Sequence, residues 1–82
     1  MATFIVLPQN DQVAETLNTT IPQRFGNHAY ALPLGEWLVA YEGTSRQLFE
    51  EIGADSVIVL NFNGYWGVAS KDIWEWLAVY QK

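Results

Sequence analysis

His28 is the chain's only histidine, and nine carboxylates accompany it: Asp11, Glu15, Glu36, Glu42, Glu50, Glu51, Asp55, Asp72 and Glu75. These are the side chains whose types could do acid–base or metal chemistry. An imidazole works as a general base or ligand only with partners. The neighbours of His28 are Asn27 and Ala29 at the start of a strand-like run, which predicts a surface or rim position. Asp11 and Glu15 stand four apart, and Glu50 and Glu51 are adjacent. Such pairs can hold Mg²⁺ or exchange protons. The same spacing also describes a solvated helix face, and that is the reading preferred here. With no cysteine there is no thiolate nucleophile and no zinc site built on sulfur. Ser45, Ser56 and Ser70 lie in no nucleophile-elbow context, and the glycines form neither a GxGxxG run nor a Walker loop. No catalytic residue, metal ligand or cofactor site is expected.

Composition narrows the classes further. Eighty-two residues with half of them hydrophobic make a single folded domain spanning 1–82. The net charge is −5, and the four basic residues, Arg24, Arg46, Lys71 and Lys82, are scattered. Phosphate backbones are bound by clustered Lys and Arg, so independent nucleic-acid binding is disfavoured. The absence of cysteine, of a basic segment before the first apolar run, and of any stretch long enough to span a bilayer leads to an expected cytoplasmic location with no membrane association.

The elements that position these residues follow from periodicity. Thr3–Leu7 (TFIVL) is a near-continuous apolar run stopping at Pro8, a strand covered on both faces. Asn10 or Asp11 can cap a helix whose stripe is Val13, Leu17 and Ile21; Pro22 predicts that it ends or kinks near Thr19–Ile21. His28–Leu32 and Glu36–Tyr41 flank Pro33-Leu34-Gly35 as a hairpin, with Trp37, Val39 and Tyr41 on one face. Thr44-Ser45-Arg46-Gln47 matches a capping box, Leu48, Phe49 and Ile52 give the helix its apolar side, and Gly53 suits its C-cap. Ser56–Phe62 has the highest strand propensity in the chain, and Tyr65–Val68 after Asn63-Gly64 reads as a short return strand or ordered loop. Ser70 can cap a final helix over Lys71–Tyr80. The order β-α-β-β-α-β plus a helix predicts an α+β, ferredoxin-like βαββαβ sandwich with an additional C-terminal helix.

That layout places two helices on one sheet face and leaves the other open. Strands apolar at nearly every position need the second face covered, by the last helix, by a second protomer or by both. Four Trp, four Tyr and four Phe are many for a chain of this size to hide. Aromatic side chains anchor recognition surfaces, so Trp37, Tyr41, Tyr65, Trp66 and Trp74 form the candidate interaction surface. Trp37 and Trp74 are the ones expected to be exposed.

Several runs taken together resemble the small CRISPR-associated ferredoxin-like proteins, the dimeric subunit of the spacer-integration complex, and in particular their stand-alone uncharacterised relatives. They are TFIVL at the start, Glu36-Trp37-Leu38-Val39, Thr44-Ser45-Arg46-Gln47-Leu48, Val57-Ile58-Val59-Leu60, Gly67-Val68-Ala69-Ser70 and Trp74-Glu75-Trp76-Leu77. The resemblance implies the same fold and a tendency to dimerise through sheet faces or edge strands. Family members with metal-dependent nuclease activity place an Asp directly after the first strand. Here Leu7-Pro8-Gln9-Asn10 stands there and the first carboxylate is Asp11, so no catalytic residue carries over. The expected function is a non-enzymatic protein-interaction or accessory and regulatory module acting as a small cytosolic homodimer. The alternative is a divergent metal-dependent nuclease or nucleic-acid-binding dimer, which needs Asp11 at the dimer axis.

Overall fold

The computed structural model describes residues 2–62 and 71–80. Within them the chain is a mixed α+β structure with one four-stranded antiparallel sheet and three α-helices: β1 (Ala2–Pro8), α1 (Asp11–Phe25), β2 (Ala29–Ala31), β3 (Trp37–Tyr41), α2 (Ser45–Ile52), β4 (Val57–Phe62) and α3 (Lys71–Tyr80). A 3₁₀ turn, Gly26–His28, joins α1 to β2. The strand order is β2-β3-β1-β4, so β1 and β3 are central while β2 and β4 form the edges. No described helix is long and apolar enough to cross a membrane.

Local chemistry starts and stops the helices. The Asn10 side chain accepts the Val13 amide at 2.8 Å, satisfying one of the orphan donors at the start of α1. On α2, Thr44 Oγ1 accepts from the Gln47 amide at 3.1 Å and Gln47 Oε1 accepts from the Thr44 amide at 2.9 Å, closing the capping box. Gly53 ends α2 with φ of 73°, a left-handed conformation that is costly for any residue with a Cβ.

The break expected near Thr19–Ile21 does not occur; α1 runs through Pro22 to Phe25. Pro22 is exposed, and its carbonyl accepts the Gly26 amide. Continuing the helix buries Ile21 completely and sets the Phe25 ring edge-on to Tyr41 at 6.2 Å. Those contacts offset the amide hydrogen bond that proline cannot donate. Pro22→Ala is therefore expected to stabilise the fold by about 1–2 kcal/mol. That figure is the ~3 kcal/mol helix cost of proline less the ~1 kcal/mol by which proline restricts the unfolded chain. A thermal melt shifted upward by roughly 4–16 °C checks it, and a lower melting temperature would contradict it.

The core lies between the sheet and the first two helices. Phe4 and Val6 of β1 and Trp37 and Val39 of β3 meet Leu17 and Ile21 of α1 and Leu48 and Ile52 of α2. The register pairs Phe4 with Val39 and Val6 with Trp37, so these side chains share one face. The second face carries Thr3, Ile5 and Leu7 of β1, Tyr30 of β2, Leu38 and Ala40 of β3, and Ile58, Leu60 and Phe62 of β4. Helix α3 lies over part of it, with Leu77 only 3% exposed. Residues Trp37 to Ala40 are all buried because β3 is central and covered from both sides.

Candidate functional site

The five aromatic residues singled out in the sequence are not gathered into one surface. Trp37 is corrected outright: it is 7% exposed and belongs to the core cluster, because Val6 opposite it fixes its side chain on the face covered by α1 and α2. Tyr41 shares that face at the other end of β3, half-buried, with its ring edge-on to Phe4 at 6.2 Å. Its hydroxyl donates to Glu51 Oε2 at 3.3 Å. Partial burial and then the Glu51 carboxylate raise the Tyr41 phenol above its ordinary value, so it stays protonated as a donor at neutral pH. Trp74 is on the opposite face. Expected to be exposed, it is half-buried and lines an apolar hollow of about 300 Å³ between α3 and the sheet, together with Ile5, Leu38, Phe62, Ile73 and Leu77. Tyr65 and Trp66 lie outside the described residues, as does the helix cap expected at Ser70.

Other aromatic residues do the anchoring. Trp76 Nε1 donates to the Asn27 carbonyl at 3.3 Å, and its ring packs on Tyr80 at 4.7 Å and near Tyr30 at 6.2 Å. His28 is exposed, with its ring edge-on to Tyr80 at 5.3 Å. This cluster ties α3 to the start of β2, which gives the imidazole a packing role. Among the described residues no three His, Asp or Glu side chains group as metal ligands would. Glu50 pairs with Arg46 at 3.8 Å and Glu75 with Lys71 at 3.6 Å, both at i,i+4 and well exposed. Such pairs stabilise a helix by a few tenths of a kcal/mol and do no chemistry. Asp11 is exposed in the first turn of α1, beside a hollow of about 330 Å³ lined by Asn10, Thr16, Asp55 and Ser56.

The chemistry left on the surface is that of a strand edge. Strand β4 pairs only with β1 among the described residues, and Ile58 and Leu60 on it are 46% and 48% exposed. The Gln9 amide donates to the Ser56 carbonyl at 2.9 Å, and the register sets these two residues directly opposite. Hydrogen-bonded and non-bonded pairs alternate along an antiparallel ladder. Ser56, Ile58, Leu60 and Phe62 therefore turn their backbone groups toward β1, and Val57, Val59 and Asn61 turn theirs outward. The same parity directs position 8 of β1 away from β4, which is why Pro8 fits the strand without breaking this ladder.

Helix α2 adds to the edge. Leu48 and Ile52 point into the core, and Glu51 reaches sideways to Tyr41 on β3. At 100° per residue Phe49 then occupies the opposite flank, above the outer side of β4, and is 38% exposed. Among the described residues, an uncharged strand with an outward-facing backbone row thus has apolar side chains on both sides of it. The strand was legible in the sequence as the run of highest strand propensity. Its edge position was not, because only the pairing of β1 with both β3 and β4 leaves β4 outermost. Comparison with protein-family models, curated protein sequences and solved structures finds no match to this chain.

Proposed function

We propose that this chain is a non-catalytic protein-interaction module that works as a homodimer, built on a ferredoxin-like βαββαβ unit with α3 added. The strand order β2-β3-β1-β4 supports the layout, since α1 and α2 each link two parallel strands that are separated by a third. The observation that carries the functional reading is the β4 edge: Ser56–Phe62 has no charge, no proline and no glycine, and exposes Ile58 and Leu60. Edges that stay solitary are blunted by Lys, Pro or bulges. This one has none of them.

Light scattering after size exclusion, over a concentration series, tests the reading. The expected mass approaches twice 9.3 kDa as concentration rises. Leu60→Lys is expected to hold the mass at one chain while changing stability by no more than about 0.5–1 kcal/mol, as a half-exposed site allows. A single-chain mass for the unmodified protein at every concentration would refute the reading.

A further inference from the structure

We infer that the hollow where the end of α1, the end of β3 and α2 meet is a binding site for a small zwitterion, an α-amino acid with an apolar side chain. The hollow holds about 280 Å³ and is lined by Arg24, Phe25, His28, Tyr41, Glu42 and Glu51. Its volume is at the lower end for small-molecule sites and suits a ligand of amino-acid size. The site is complete within one chain and uses no residue of β4, so it stands apart from the interaction module proposed above.

The topology brings the two signs of charge here from different elements. Arg24 belongs to the last turn of α1 and His28 to the 3₁₀ turn after it. Glu42 follows the last residue of β3, and Glu51 belongs to the last turn of α2. In a chain of net charge −5 a cation has many carboxylates to pair with. Among the described residues Arg46 pairs with Glu50 at 3.8 Å and Lys71 with Glu75 at 3.6 Å, whereas Arg24 pairs with neither Glu42 nor Glu51. The guanidinium and the two carboxylates thus line one hollow and stay apart. That separation is bridged by a ligand carrying both charges, its carboxylate on the parallel donors of Arg24 and its ammonium donating to the glutamates.

The aromatic wall between them is held in place. The Tyr41 ring meets Phe4 and Phe25 edge-on, each at 6.2 Å, and its hydroxyl donates to Glu51 Oε2 at 3.3 Å. This bond orients the carboxylate and leaves Oε1 to the ligand. Phe25 and Tyr41 offer apolar surface to the ligand's side chain. Other ligand classes match the lining less well. A divalent cation needs converging donors, and among the described residues His28, Glu42 and Glu51 do not group as metal ligands would. A phosphate would meet two carboxylates against one guanidinium, and a simple amine would lie beside the Arg24 charge with nothing to offset it.

The test titrates L-phenylalanine into the nitrogen-labelled full chain and follows the amide NMR shifts. Two half-ligands run in parallel: phenylethylamine, which lacks the carboxylate, and hydrocinnamate, which lacks the ammonium. L-Phenylalanine is expected to give saturable shifts at residues 24–28, 41, 42 and 51, with a dissociation constant of about 1 mM, as an open hollow with few contacts allows. Each half-ligand is expected to bind roughly tenfold more weakly, having lost one charge-assisted contact. Arg24→Gln is expected to weaken L-phenylalanine by about tenfold and leave phenylethylamine unweakened; Glu51→Gln is expected to weaken L-phenylalanine equally and leave hydrocinnamate unweakened. Both side chains are exposed, so the variants keep the fold, which the remaining amide shifts verify. Absence of saturable shifts with L-phenylalanine up to about 20 mM, some twentyfold above the expected constant, would overturn the site. A half-ligand that binds as tightly as the whole would overturn the zwitterion assignment.

Discussion

Trp37→Ala is expected to remove most of the stability of this protein. Truncating a buried Trp costs about 3–5 kcal/mol, through lost burial and the cavity left behind. A chain of 82 residues at about 0.05–0.15 kcal/mol per residue has roughly 4–12 kcal/mol to lose. Trp37 fills the space between Val6, α1 and α2, and its neighbours on β3 are buried on both faces, so little can collapse into the gap. Trp37→Phe makes the comparison informative. The indole N–H is buried without a hydrogen-bond partner among the described residues, and such a donor costs about 1–3 kcal/mol. Phenylalanine loses part of the ring volume and also removes that penalty, so its net cost is expected to stay within about 1–2 kcal/mol. Urea titration of both variants measures the two numbers. A loss under about 1 kcal/mol for Trp37→Ala would return Trp37 to the surface role read from the sequence.

The case of Trp37 shows where sequence reading reached its end. Alternation along Glu36–Tyr41 put Trp37, Val39 and Tyr41 on one face, and the register confirms that grouping. Which face the helices cover is a fact about pairing with β1, and one strand's own pattern does not contain it. The capping box at Thr44, the cap at Asn10 and the left-handed Gly53 were legible because each depends on residues within four positions. Pro22 misled for the converse reason: the local rule against proline in a helix is outweighed by Ile21 and Phe25 packing on distant strands. The candidate site moved for the same kind of reason. Ile58 and Leu60 look like core residues in VIVLNF, and they become surface only because β4 is outermost.

The second face poses the remaining energetic question, and Leu77→Asp answers it. Leu77 is the one fully buried side chain of α3, seated over the hollow lined by Ile5, Leu38 and Phe62. A carboxylate there faces a cluster with no polar partner in reach. Burying it unpaired would cost several kcal/mol, and the helix avoids that cost by lifting off. The Trp76 and Tyr80 contacts to Asn27, Tyr30 and His28 lie along the flank of the helix beside Leu77, and one hydrogen bond with ring contacts does not replace the lost apolar docking. The expected outcome is selective. Amide exchange in α3 accelerates by about a hundredfold or more, equivalent to losing ~3 kcal/mol of docking energy. Amides of the central strands β1 and β3 keep most of their protection, because the α1–α2 core still packs on the sheet. A dye that binds exposed apolar surface gains fluorescence, because Ile5, Leu38 and Phe62 are uncovered while the other face stays packed. Uniform loss of protection across the sheet would instead mean that both faces fold as one cooperative unit. In that event α3 would be an integral layer of the structure, and the apolar surface left for a partner among the described residues would be the β4 edge together with the exposed Leu34 and Val79.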